Sequence, residues 1–203
     1  MVEKATTGSR RGRPRQFDPD QVVEAAMGAF FAKGFESTTL ADLEAATGVD
    51  RSTLYNSFDG KSGLYHQATA LYLDRAAQML FDELGHGTGD GLADIITFLE
   101  RLRAGLTADG VSPGCLIVND MASGSDPEAT ARYRAMLDSG LAAALGRAAG
   151  AGHIDPASID GRASLLSAAV IGINLVSAHT GDNGQVSHLV SGAIAEVSSW
   201  RAE

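Results

Sequence analysis

Ser37-Thr38-Thr39-Leu40-Ala41-Asp42-Leu43-Glu44-Ala45-Ala46-Thr47-Gly48-Val49-Asp50-Arg51-Ser52-Thr53-Leu54-Tyr55-Asn56-Ser57-Phe58-Asp59-Gly60-Lys61 is the stretch whose reading decides the fold. It reads as two short helices joined by a tight turn at Gly48, a helix-turn-helix. The hydroxyls of Thr38 and Thr39 can cap the first helix, and Leu40, Leu43 and Ala46 recur at helical spacing to give it one apolar face. Gly48 stands where the chain must reverse, and a residue without a β-carbon enters left-handed backbone without steric penalty. Asp50 offers a carboxylate to the free amides of the second helix, whose Leu54 and Phe58, four apart, share one face.

The rest of that second helix is polar: Arg51, Ser52, Thr53, Tyr55, Asn56 and Ser57. A helix buried on all sides would not carry them. Arginine pairs with guanine edges, asparagine with adenine, and serine, threonine and tyrosine hold phosphate oxygens, so the set suits a helix lying in a DNA major groove. The run from Gly48 to Phe58, followed by Lys61 and Leu64 and preceded by Phe35-Glu36-Ser37-Thr38-Thr39, resembles the signature of TetR/AcrR-type transcriptional regulators. The resemblance covers residues 13 to 64 and fades beyond. It implies an all-α protein with an N-terminal three-helix helix-turn-helix DNA-binding domain and a larger helical ligand-binding and dimerisation domain.

Charge is divided in a way that suits this reading. The formal net charge is −9, but residues 1–61 hold 8 Lys+Arg against 9 Asp+Glu, whereas residues 62–203 hold 8 against 16. Lys4, Arg10, Arg11, Arg13 and Arg15 face only Glu3 in the first 15 residues. Because screening limits distant acids to a reach of about 8–10 Å, local charge decides phosphate contact. Residues 1–16 are expected to be a flexible basic arm, either a solvated tail or a segment that enters the neighbouring minor groove through Arg13 and Arg15.

The helix-turn-helix domain is expected over 17–62. Asp18-Pro19 starts its first helix, Val22, Val23, Ala26, Met27 and Phe30 form the stripe, and Gly34 ends it. A long helix from about Lys61 keeps its apolar period through Leu84, and Lys61 in its first turn could hold a phosphate or simply be solvated. Residues 63–203 form the expected second domain. The glycine-rich run 85–91 misses any phosphate-cradle spacing and reads as a loop. Further helices begin at Leu92, near Cys115 and at Asp126-Pro127, and two more cover about 160–178 and 186–200.

Those last two helices carry apolar or small residues on more sides than one chain could cover. Leu165, Ala168, Gly172, Val176, Leu189, Ala193, Val197 and Trp200 are therefore expected at a two-fold interface, and the resemblance also implies pairing of the last two helices. The uncharged run between Arg162 and Asp182 has the length of a membrane span. It contains Asn174, Ser177, His179 and Thr180, so a buried helix and no membrane are expected.

No metal-ligand spacing links His66, His86, His153, His179 and His188, and no nucleophile elbow occurs. The reading is no enzyme, no metal and no cofactor. The single cysteine, Cys115, excludes an internal disulfide and reads as a small core residue, with oxidant sensing as the alternative. A polar N-terminus without an apolar run leads to the expectation of a cytoplasmic protein. The resemblance further implies a small-molecule cavity in the second domain. Phe98, Leu102, Met121, Tyr133, Met136, Ile171 and Asn174 are candidates for its wall, against plain core packing for each.

The expected partners are thus double-stranded operator DNA, a small-molecule effector and a second copy of the chain, with Arg13, Arg15, Thr38, Thr39, Arg51, Ser52, Thr53, Tyr55, Asn56 and Lys61 at the DNA. The function expected is a repressor released from a palindromic operator by ligand. An effector-independent activator or architectural DNA binder is the alternative.

Overall fold

The computed structural model describes residues 17–201, which fold into helices with no strand among them. The expected basic arm, Arg13 and Arg15 included, lies outside the described residues. In the head, α1 (Pro19–Lys33) is capped by Asp18, whose carboxylate accepts the Asp20 amide at 3.0 Å. α2 (Leu40–Thr47) opens with a reciprocal capping box between Thr39 and Asp42 and closes at Gly48 with φ 71°. α3 (Arg51–Phe58) follows directly.

α3 is short and built largely of residues with little helix preference, which cost at most about 0.7 kcal/mol each. Leu54 and Phe58, 0% and 3% exposed, outweigh that, since each fully buried side chain of this size contributes roughly 1.5–3 kcal/mol. They meet Val22, Ala26 and Phe30 of α1, Leu43 of α2, and Leu64, Tyr65 and Ala68 of α4 (Gly60–Ala76). Ala46, expected on the inner face of α2, is exposed; Val49 beyond the turn is buried instead.

The long helix is not the unbroken rod that its period suggests. After α4 the chain makes one π turn, Ala77–Phe81, closed by the Asp82 amide on the Ala77 carbonyl, and resumes as α5 (Asp82–His86). Periodicity cannot reveal this, because one extra residue in a turn leaves apolar residues on the inner side before and after it.

The body comprises α6 (Leu92–Leu106), α7 (Leu116–Asp120), α8 (Pro127–Gly150), a 3₁₀ turn (Pro156–Ser158), α9 (Ile159–Thr180) and α10 (Asn183–Ser199). Leu84, Ile95, Phe98, Leu99, Leu141, Leu145, Val170 and Val190 fill its core. Asp94, only 2% exposed, accepts from Arg147 Nε at 3.1 Å and Nη2 at 2.8 Å. The same guanidinium donates to the carbonyls of Leu84 and Gly85 at 2.9 and 3.2 Å, satisfying the open end of α5.

Its own chain covers α9 on one side only. With the 3₁₀ turn before it, it is long and apolar enough by composition to span a membrane, yet only 28% of its apolar window is buried inside the chain. Leu166, Val170, Ile173, Asn174 and Ser177 point inward, while Leu165, Ala168 and Leu175 are exposed. Two residues expected at a two-fold interface belong instead to the chain's own core. Val197 is fully buried, and Trp200 packs under the Arg162 guanidinium, 4.2 Å from its ring centroid.

Candidate nucleic-acid interface and cavity

The N-terminus of α3 is held by two carboxylates. Asp50 accepts the Thr53 amide at 2.7 Å and the Ser52 hydroxyl at 2.8 Å, and Glu44 of α2 accepts the Arg51 amide at 2.7 Å. The Thr53 amide first, and then the Ser52 hydroxyl, hold the Asp50 carboxyl below the usual carboxylate range. Glu44 thus locks the angle between the two helices, a role the sequence reading missed; a carboxylate seven residues before a helix start is its signal.

Outward from α3 stand Arg51, Asn56 and Tyr55, the last 53% exposed, and none of these side chains hydrogen-bonds to the protein. The Tyr55 ring lies against Gly60, where an added β-carbon would come within 2.9 Å of Cε1. Gly60 has φ 72°, so both its backbone and its neighbour require glycine. Thr53 and Ser57 are half-buried beside the exposed row.

Other expected contact residues are already engaged. Thr38 is 1% exposed and donates its hydroxyl to the Gly34 carbonyl at 2.7 Å, so it fastens the end of α1 and cannot face DNA. Thr39 is exposed, but its hydroxyl donates to Asp42 at 2.7 Å within the capping box. Lys61 lies 4.4 Å from the Phe35 ring centroid and donates to the Glu36 carbonyl at 3.2 Å, leaving two ammonium hydrogens for another acceptor.

A cavity of about 440 Å³ lies where α1, α4, the π turn, α6, α8 and α9 approach one another. Of the candidate wall residues, Leu102, Tyr133 and Asn174 line it. Phe98, Met121 and Ile171 do not: Phe98 is sealed behind Phe81, with ring centroids 5.7 Å apart, and the other two pack against the body core. Met136 opens on a separate surface groove with Gln78 and Gly140.

The sequence reading missed Phe31, Tyr72 and Cys115 in the cavity wall. Phe30-Phe31 carried a usable signal: adjacent side chains on a helix point about 100° apart, so two neighbouring aromatics cannot share one inner face. Phe30 enters the head core, and Phe31 meets Tyr72 at the cavity. Cys115 lines the cavity, while the next residue, Leu116, is buried in the head core. Burial pushes the Cys115 thiol above its ordinary pKa, and the neighbouring Tyr72 hydroxyl offsets this only in part. Among the described residues no group of three or more His, Cys, Asp or Glu side chains could hold a metal ion.

The model of the tetR family of bacterial regulatory proteins matches residues 22–68, which run from α1 through most of α4. Residues 22–68 are a TetR-family domain. The TetR-type head therefore includes α3, its two carboxylate caps and the Tyr55–Gly60 contact.

Two curated repressors of Escherichia coli K12 are similar to this chain. ComR is 35% identical over 115 residues, 54% of this chain and 52% of ComR; BdcR is 30% identical over 120 residues, 58% of this chain and 59% of BdcR. The chain thus spans about half the length of the curated relatives it matches. Likeness of fold extends further. A cysteine mutant of the TetR-family regulator CifR, solved with 26-bp operator DNA, superposes with TM-score 0.79 over 91% of this chain and 98% of its own, at 23% identity. A TetR regulator from Chloroflexus aurantiacus gives 0.75 over 88% and 93%, at 22% identity.

Proposed function

We propose that the protein is a DNA-binding transcriptional repressor that works as a homodimer and is released from its operator by a small molecule. The observation that carries the DNA-binding part is α3 itself. Arg51, Tyr55 and Asn56 stand on one exposed side of a helix whose other side is anchored by Leu54 and Phe58 and whose start is clamped by Glu44 and Asp50. Unpaired donors on a rigid helix are what base recognition in a major groove requires. The formal charge of −9 does not oppose this, because most of the excess acid lies beyond residue 61.

The open side of α9 and α10 supports a two-fold dimer. Leu165, Gly172, Val176, Leu189 and Ala193 line one apolar groove between the two helices, with Leu165 55% and Leu189 37% exposed. Small residues at its floor admit a neighbouring helix closely. A dimer of this kind reads a near-palindromic site with half-sites about 34–36 Å apart. With genomic DNA as its partner, the protein acts in the cytoplasm.

Ligand response is supported by the cavity. Its wall includes Phe31 of the head, and Leu116, joined directly to wall residue Cys115, is part of the head core. A ligand that fits the cavity better in one head setting shifts the dimer towards that setting. The test is selection of bound fragments from genomic DNA, followed by binding assays on the enriched site. Enrichment of a two-fold symmetric sequence with salt-dependent affinity is expected; no enrichment over random DNA sinks the reading.

A further inference from the structure

The cavity is built for a particular kind of molecule, an inference that deepens the effector site of the regulator proposed above and rests on that reading. Its volume of about 440 Å³ falls within the roughly 300–1,000 Å³ of small-molecule pockets. Almost all of its wall is apolar. The one ionised wall group among the described residues is Arg101 at the rim, and its guanidinium pairs with Glu83 at 3.1 Å. A buried anion would therefore lose its hydration without gaining an unpaired counter-charge.

Tyr133 and Asn174 each bring to the wall a polar atom without a protein partner. Tyr133 is 3% exposed, stacks edge-on against Phe81 and makes no hydrogen bond to the protein. The sole sealed side-chain polar atom without a partner among the described residues is Arg162 Nη1, so the Tyr133 hydroxyl opens on the cavity it lines. Asn174, 1% exposed, donates Nδ2 to the Val170 carbonyl at 2.8 Å, which leaves Oδ1 as an unmet acceptor on the same wall. A donor and an acceptor that reach the cavity without protein partners suit a ligand that supplies both.

We propose that the cavity takes an uncharged, largely apolar alcohol or phenol, whose hydroxyl accepts from Tyr133 and donates to Asn174. Calorimetric titration of the full chain without DNA, at neutral pH, tests this with 2-naphthol, naphthalene and 2-naphthoate. The neutral 2-naphthol binds, and 2-naphthoate binds at least roughly tenfold more weakly, because the site offers it no free cation. Tyr133→Phe, which keeps the ring and the fold, weakens 2-naphthol by roughly three- to tenfold and leaves naphthalene unchanged. Tighter binding of 2-naphthoate than of 2-naphthol, an unchanged 2-naphthol affinity in Tyr133→Phe, or no binding by any probe overturns the proposal. Operator release is read separately by fluorescence anisotropy. Binding of 2-naphthol without release upholds the ligand chemistry and sinks ligand-controlled repression, whereas release by 2-naphthoate alone upholds the regulator and overturns the ligand chemistry.

Discussion

The Phe31 ring on α1 stands edge-on to the Tyr72 ring on α4, with 5.9 Å between centroids and 73° between planes. Both rings line the cavity, so a molecule there touches α1 without an intermediary. Removal of the Phe31 ring should cut that contact while sparing α3. Phe31→Ala is expected to hold operator affinity within about threefold yet raise the ligand concentration for half-release by roughly five- to fiftyfold. Anisotropy titration with labelled operator measures both, and an unaltered ligand response counts against direct contact as the route.

Arg51→Ala should weaken binding to the selected operator by about 1–3 kcal/mol and relax preference at one base position. Lys61→Ala should weaken operator and random DNA alike, with a smaller loss, because Lys61 is also engaged by Phe35 and the Glu36 carbonyl. Competition assays on both DNAs separate the two. Equal losses for Arg51→Ala on operator and random sequence remove it from base reading.

Arg147→Met leaves the Asp94 carboxyl group, 2% exposed, without its guanidinium partner. The expected destabilisation is about 3–5 kcal/mol, measured by urea unfolding. Asp94→Leu combined with Arg147→Met should recover a large part of it, since no buried carboxyl is then left without its partner. A double variant as unstable as the single one would mean that the Arg147 bonds to the Leu84 and Gly85 carbonyls dominate.

Asp126 caps α8 and joins it to α4, accepting from Thr69 Oγ1 at 2.6 Å and lying 2.8 Å from His66 Nδ1. Burial alone would raise its pKa; the Thr69 hydroxyl, the Ala129 amide and His66 outweigh that and leave it below the ordinary 3.8. The folded state therefore holds the proton less readily than the unfolded chain. The stabilisation is complete above the unfolded value and is lost as pH falls through the lowered folded one. Asp126→Asn should destabilise at neutral pH and flatten the decline of stability below about pH 4. Thermal melts across pH 2–7 check it; an unchanged acid slope removes Asp126 as its source.

Leu165→Glu together with Leu189→Glu puts like charges into the groove between α9 and α10. Light scattering should then report a monomer with an unaltered helical spectrum. Persistence of a dimer would place its interface elsewhere.

How much of this was legible depends on whether the cause was local. Gly48, Asp50, Thr39 and the Asp18-Pro19 start act within a few residues of themselves, and the backbone follows them. The inner face of α3 was equally readable, because Leu54 and Phe58 repeat at helical spacing. Thr38 was misread because its burial depends on the Gly34 carbonyl, fixed by how α1 ends. Val197 and Trp200 were misread for a related reason. A helical stripe marks what is covered, but not whether the cover is the same chain or another. The cavity was the least legible, since a void is defined by the side chains that fail to fill it, and Phe31 reaches it from a different part of the sequence.

The π turn at Ala77–Phe81 winds one residue too many into the spiral between α4 and α5. Excising Gln78 would let the backbone rewind as a plain α-helix, and because a turn of either kind closes about one revolution, the flanking segments would keep their inner faces. The bulge is thus a place where the length of the connection can change by one residue while the azimuth of α3 against the body hardly moves.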